Sequence, residues 1–433
     1  MSPQLRAQAA HVLLDSIGVI LAGSLGSTPS RLAEEVQDSR GSSTIFRQGA
    51  PKAMPSDAAL ANGAAGTALE LDEGHRPTGH PAIYTLPAVL AASEAVDATG
   101  SAVLEALVAG YEAGARLAGA AKLRPEVHVH GAVAAVAAGV GLARLEGAEP
   151  TLISSTIKAA ACLSLATPFA AGLQGALLRD GFAAAAAGTG QTAWRLARSG
   201  YEPPSDALEV VYGEILGTHL ESVVLEPADS DEFGITTNYF KRHACCRYLH
   251  PTLDAVEIAL ARHQPAGEQV RRVTVACEDR ATTCDELVPA NPLAAKFSLP
   301  FSVATSIVNG STGVAAFGEA AVHDPATLRV AQLVSMSAIP EDGDHDRHPP
   351  SFRARVSVEL TSGETLTGAV ERARGDLPDQ FDHGFVRSKF ADLVSPIVGT
   401  AAVPEIQDSI LAIAEAPSVH ASLEPLIRAL SVS

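Results

Sequence analysis

The sequence predicts a mainly α-helical protein with an inserted α+β domain, the large helical part being built from the N- and C-terminal segments. Three observations predict it. Residues 1 to about 225 run as Ala-rich, helix-length segments separated by Gly, Pro, Asp or Ser. After about 225 the texture changes to irregular polar stretches and alternating apolar–polar runs. From Phe385 onward helical patterning returns. The expected division is residues 1–236 with 386–433 as the helical domain and 237–385 as the insertion, within ordinary domain sizes for a 433-residue chain.

The first helix is read from Ala9, Val12, Leu13, Ile17 and Ile20, which share one face at helical spacing. Its apolar run from Val12 to Ala22 is interrupted by Asp15, is too short to span a bilayer and lacks a signal-type leader. A cytoplasmic location is the expectation. Further helices are predicted over 29–38, 56–70, 83–98, 101–121, 130–146, 150–165, 173–198 and 205–216. STIF (43–46) and PKAMP (51–55) read as connectors. In the insertion, 251–263 and 294–310 read as helices and 270–278 as a half-buried strand. The run 352–375 holds two alternating segments around Ser362-Gly363, a hairpin signal.

Hydrophobic residues make up 47% but aromatics only 4%, so the core must be made of Ala, Leu and Val in closely packed helices. The net charge of −18 argues against nucleic acid or an anionic membrane as partner; an anionic substrate in a local basic pocket stays open. Five cysteines do not make a disulfide framework.

Three stretches carry candidate chemistry. Between two apolar helices, Glu70, Asp72, Glu73, His75, Arg76 and His80 crowd into eleven residues broken by Gly74, Pro77, Gly79 and Pro81. Such a loop suits acid–base work, where a carboxylate sets the tautomer of a nearby His. H-x4-H with intervening Pro and Gly matches no closed zinc pattern, so no metal ligands are assigned. The alternative is a capping loop, with Asp72 or Glu73 on a helix N-terminus and His80 on buried carbonyls. The second stretch, NYFKRHACCRYLHPTLDA (238–255), gathers Lys241, Arg242, His243, Arg247 and His250, a carboxylate-binding set or a solvated junction. The third is VHVHG (127–131), with His128 and His130 before a small-residue helix.

In this order the stretches resemble a known signature. The run A-N-G-x-A-x-x-x-x-E-L-D-E-x-H…G-H-P-A…L-P-A-x-L-A-x-x-E is similar to that of the MmgE/PrpD family, which includes 2-methylcitrate dehydratase, cis-aconitate decarboxylase and iminodisuccinate epimerase. KRHACCRYLHPTLDA (241–255), KFSLPFSVATSIVNG (296–310) and GDLPDQF…RSKF (375–390) resemble further family segments. The resemblance covers nearly the whole chain. It implies a helical domain, a smaller lid domain, an active site between them, a homodimer, and no metal or organic cofactor. It implies that His80 is the active-site histidine, that His130 precedes the small-residue helix, and that Lys241 stands at the lid. Glu70, Leu71, Asp72 and Glu73 match the acidic run. Two places depart from the pattern. Ala170 and Leu173 stand where decarboxylase-like members carry Lys and His, and Phe301 stands for the family tyrosine. These changes point to a smaller, less charged or unusual substrate.

The expected chemistry is proton transfer at a carbon next to a carboxylate. His80 moves the proton and Asp72 or Glu70 sets its tautomer. Lys241, with Arg247, takes up charge, and His130 or His75 is the second acid or base. Glu70, His75, Arg247 and Phe301 are the expected substrate contacts. The first reading is a cofactor-independent hydro-lyase on a small carboxylic acid. The alternatives are an isomerase or epimerase using the same step, or a non-catalytic member kept for binding.

Overall fold

The computed structural model describes residues 1–76, 79–225, 233–339 and 353–432. Pro77, most of the polar stretch 225–233, and Phe352 at the start of the predicted hairpin lie outside the described residues.

The chain opens with α1 (Pro3–Gly23), started by Pro3 and by Ser2, whose hydroxyl accepts from the Leu5 amide. At 21 residues α1 is long and apolar enough to cross a membrane, but 78% of its most apolar window is buried by the rest of the protein. Then come α2 (Ser27–Val36), α3 (Pro55–Ala68), α4 (Pro81–Val96), α5 (Gly100–Ala120), α6 (Val129–Leu145) and α7 (Pro150–Cys162). The two connectors between α2 and α3 pair as a short antiparallel ladder, β1 (Ser43–Thr44) with β2 (Lys52–Ala53).

The predicted helix over 173–198 is broken. It divides into α8 (Ala170–Leu173), a 3-10 turn (Leu177–Gly181) and α9 (Phe182–Arg198). Gly175, in the left-handed region at φ 66°, ends the first piece. The predicted helix at 205–216 shrinks to α10 (Ala207–Val210) and a π turn. A strand missed by the sequence follows, β4 (Gly217–Leu220), which pairs with β3 (Ala121–Leu123).

Beyond 233 the chain forms α11 (His250–Leu260), β5 (Val270–Cys277), α12 (Asp279–Thr282), α13 (Pro292–Lys296) and α14 (Leu299–Asn309). The expected helix 294–310 restarts at Ser298, whose hydroxyl accepts from the Phe301 amide at 3.0 Å. After α15 (Glu319–Val322) and α16 (Pro325–Ala331) come β6 (Val334–Ala338), β7 (Ala354–Leu360) and β8 (Thr365–Val370). The sheet order is β6-β5-β7-β8, with only β5–β6 parallel. Gly363 at φ 89° closes the β7–β8 hairpin. Three helices end the chain: α17 (His383–Val398), α18 (Val403–Leu411) and α19 (Val419–Val432).

Mainly α is therefore the fold class, with small sheets. Apolar side chains gather in two large cores. One joins Leu13, Ile17 and Leu86 to Phe390, Ile406 and Leu423, so both ends of the chain share it. The other joins α11 and α14 to the four-stranded sheet through Leu253, Val273, Val356 and Ile307. The first core depends on small residues. A Cβ built on Gly190 of α9 would sit 2.3 Å from the Ala135 carbonyl oxygen of α6. Gly190→Ala should therefore destabilise the fold by about 1–3 kcal/mol through overpacking, read as a lower melting temperature.

Candidate active site

The loop after α3 lies between the two cores: Leu71 is buried in the second, and Tyr84, one turn into α4, in the first. The end of α3 explains its shape. The last carbonyls of a helix lack intrahelical donors and carry partial negative charge. One lysine distant in sequence supplies such a donor to the last residue of α3, and two more donate to the carbonyls of the turn that follows it. Lys296 donates to the Ala68 carbonyl at 2.8 Å, Lys241 to that of Glu70 at 3.0 Å, and Lys389 to that of Leu71 at 2.8 Å. Lys389 also pairs with Asp15 of α1 at 2.7 Å, which accounts for a carboxylate inside an apolar helix. Glu70 is held at φ 51°, a left-handed conformation that costs a non-glycine residue about 1–3 kcal/mol.

Around this turn the buried charges meet. The Lys241 ammonium lies 3.1 Å from Glu70 Oε2 and 3.7 Å from Asp72 Oδ1, and is fully buried. Asp72 Oδ2 lies 2.8 Å from His80 Nδ1, which is also 2.9 Å from the Glu73 carbonyl. Burial pushes Asp72 up, but the opposing pull of His80 and Lys241 holds it well below the usual carboxylate range. Burial likewise opposes ionisation of Glu70, and Arg179 and Lys241 overcome it. Lys241 is pushed down by burial and pulled higher by Glu70 and Asp72. Ionised Asp72 accepts from Nδ1–H of His80, which leaves the lone pair of its Nε2 available.

His130 sits across from His80, with ring centroids 5.2 Å apart. The Tyr84 hydroxyl lies 2.8 Å from His130 Nδ1. Burial drives the Tyr84 phenol well up, so it stays a donor, and drives His130 well down, so that ring stays neutral. With Tyr84 donating to Nδ1, the His130 proton is on Nε2, a buried atom with no hydrogen-bond partner among the described residues. His128 caps α6, its Nδ1 accepting from the His130 amide at 3.2 Å.

Not every residue named from the sequence joins this set. The structure brings together Glu70, Asp72, His80, His130 and Lys241. His75 turns to Thr237, at 3.1 Å, and to the edge of Tyr111; burial lowers it to about 4, against the pull of Glu112. Arg247 lies over the Tyr239 ring at 4.2 Å, donates to His250 Nδ1 at 2.9 Å, and shares Asp376 with Arg76. It thereby ties the Gly74–Arg76 strip, which bridges to Tyr239, to the segment at 376. Phe301 is buried in the second core, 6.1 Å from Phe317. Ala170 is exposed and Leu173 half-buried at the ends of α8. An open recess lined by Gln8, Asn238, Gln380 and His383 lies beside the loop, and its Asn238 amide donates to Glu73 at 3.3 Å.

The capping reading holds for Glu73. Its Oε1 accepts from the Ala82 amide at 2.9 Å, in the first turn of α4, and its Oε2 from the Tyr111 hydroxyl at 2.8 Å. Burial nevertheless pushes this carboxyl up to about 8, against those donors. A carboxyl raised in the folded state gives stability that is full below its unfolded value and falls as pH rises from about 4.5 to about 8. Glu73→Gln should remove that slope and raise stability at pH 8 by on the order of 1–3 kcal/mol, measured as melting temperature against pH.

Tyr84 and Arg179 escaped the sequence reading. Arg179, on the 3-10 turn before α9, is 2% exposed and paired with Glu70 Oε1. Its guanidinium carbon lies 5.3 Å from the Phe297 ring centre. An arginine in a short Leu-Leu-Arg-Asp-Gly run gives no sequence signal of its own. The chain breaks at Gly175 just before this turn.

Comparison with known proteins adds to the geometry. Residues 1–218 match the MmgE/PrpD N-terminal domain and residues 243–414 the MmgE/PrpD C-terminal domain. The chain is 27% identical over 438 residues to the cis-aconitate decarboxylase-like protein oryM of Aspergillus oryzae, covering 94% of this chain and 89% of the relative. It is 26% identical over 407 residues to a cis-aconitate decarboxylase of Aspergillus terreus, covering 87% and 82%. A cis-aconitate decarboxylase of Mus musculus is 22% identical over 404 residues, covering 88% and 80%.

Proposed function

Because the chain belongs to the MmgE/PrpD family, we propose that it is a cofactor-independent lyase acting on a small carboxylic acid through proton transfer at a carbon next to a carboxylate. The observation that carries this reading is the Asp72–His80 pair at 2.8 Å, which orients an imidazole whose other nitrogen is free to take or give a proton.

In a hydro-lyase reaction, His80 Nε2 removes the proton next to the carboxylate and passes it to the departing hydroxyl, which leaves as water, while the neutral His130 faces that oxygen as a hydrogen-bond donor through Nε2–H. The electrons of the broken C–H bond become the new double bond. The nearby cations stabilise the negative charge that builds up before the hydroxyl leaves. Lys241 acts there through its field, because its donors already face Glu70 and Asp72. Decarboxylation is the second reading, favoured by the names of the relatives. There the carboxylate leaves as CO2, the bond's electrons stay on carbon, and protonated His80 delivers the proton.

The test is incubation with a panel of small di- and tricarboxylic acids, cis-aconitate among them, in heavy water. Lyase activity shows as deuterium at the carbon next to a carboxylate together with loss of water or CO2, and the lost fragment assigns the reaction. Exchange with no change in composition marks an epimerase. No exchange with any acid of the panel would sink the enzymatic reading and leave a binding protein.

A further inference from the structure

We infer that Arg179 is the anchor for a substrate carboxylate and that Glu70 holds that carboxylate's place in the ligand-free protein, which makes Arg179 a specificity-determining residue of the site. This rests on the proposed function, and it assigns to Arg179 a carboxylate away from the reacting carbon.

The first observation is an unused donor. Lys241 donates to the Glu70 carbonyl and to Glu70 Oε2 and lies 3.7 Å from Asp72, so its charge is already met by two carboxylates of the protein. Arg179 engages Glu70 through Nη1, which also lies 3.7 Å from Asp180 Oδ1, while its buried Nε has no hydrogen-bond partner among the described residues. An arginine brought fully out of water is costly unless its fork is filled, and the fork matches a carboxylate bidentately. The second observation is the neighbour. His130 Nε2 is also buried without a partner, and Arg179 is close enough to be among the charges that act on that ring. Two unfilled donors thus belong to one buried cluster.

The third observation is the partner itself. Glu70 offers one carboxylate to two cations, Oε1 to Arg179 and Oε2 to Lys241, from a strained left-handed backbone. Arg179, Lys241 and Lys296 face Glu70, Asp72 and Asp180 in this cluster. An arriving carboxylate therefore competes with Glu70 for Arg179, and the displaced Glu70 keeps Lys241. The bland alternative is that Arg179 merely caps α3, but its contact with the Thr67 carbonyl is 3.5 Å, at the limit of a hydrogen bond. The Phe297 ring beside the guanidinium fixes its plane. Arg179 also revises the expectation drawn from Ala170 and Leu173: a cation is present in the site, supplied from a different position.

The experiment is calorimetric binding to the full-length protein of tricarballylate, a saturated tricarboxylate, and of its dicarboxamide, which keeps a single carboxylate and has no second one for Arg179. Arg179→Gln should weaken tricarballylate by about 10–100-fold, the loss of a charge-assisted pair, and leave the dicarboxamide nearly unchanged. Arg179→Lys should fall between, since it restores charge but not the fork. Glu70→Gln should tighten tricarballylate in the parent and not in the Arg179→Gln background. If Arg179→Gln folds poorly, the double variant Arg179→Gln/Glu70→Gln, which removes both charges together, takes its place, with Glu70→Gln as reference. Equal weakening of both ligands, or no weakening of either, overturns the inference while the lyase reading stands. Failure of the parent to bind any acid of this class overturns both.

Discussion

The His80→Asn variant is expected to fold like the parent and to lose roughly 10²–10⁴-fold in kcat, the usual contribution of a positioned acid–base group. Asparagine is the informative choice. Its amide nitrogen can still donate toward Asp72 Oδ2 and the Glu73 carbonyl, the two partners of His80 Nδ1. The loop at the head of α4 therefore keeps its contacts, and the residue loses only the nitrogen that would face substrate. Binding of a non-reacting polycarboxylate should stay within a few-fold of the parent. Deuterium exchange, loss of water or CO2, and melting temperature together decide the matter. A variant that folds and retains more than about a tenth of the parent rate would remove His80 from the chemistry, because no general acid–base role is that small.

The degree to which the site was legible follows from where its parts lie along the chain. Glu70, Asp72 and His80 were legible because they are local: Gly and Pro break the apolar pattern and leave acids and histidine exposed as a cluster. Lys241 stood out as positive charge in an acidic chain. His75, Arg247 and Phe301 show the limit of that reasoning. Neighbours in sequence need not be neighbours in space, and the structure turns these three toward Thr237, Asp376 and Phe317. The three lysines that hold the end of α3 and the turn after it come from positions 241, 296 and 389, and no local pattern joins them. Arg179 was hidden for a different reason. The stretch 173–198 has continuous helical character, and read as one helix it places Arg179 on a surface turn. The break at Gly175 depends on tertiary contact, since Asn291 donates to the Gly175 carbonyl at 2.9 Å. The parallel strand β6 was missed similarly, because it pairs with β5 some 60 residues away.

Lys241→Met should be the most damaging single change, because it acts on stability and activity at once. Lys241 is fully buried, and its removal leaves Glu70 and Asp72 to share Arg179 and His80. Breaking one side of a buried ion pair costs roughly 3–5 kcal/mol, far more than the pair contributes net. The same loss changes the chemistry. Burial already favours the neutral form of Asp72, and with Lys241 gone one of the two cations that oppose it is lost, so Asp72 should titrate at higher pH. Its folded-state value lies below the ordinary carboxylate range in the parent, so its contribution to stability persists above the unfolded value and fades only as pH falls. In the variant the fade still begins at the unfolded value but is smaller and ends at higher pH, and the acid limb of kcat/KM, which follows the folded-state value, moves up. A stability loss alone would not move the limb. Lys241→Met/Glu70→Gln separates the two effects, since it removes one charge of each sign. Melting temperature should recover in the double variant while the acid limb stays displaced. If the double variant regains both, Lys241 serves the fold alone; if the limb stays high in a stable protein, the lysine sets the charge state on which the Asp72–His80 pair depends.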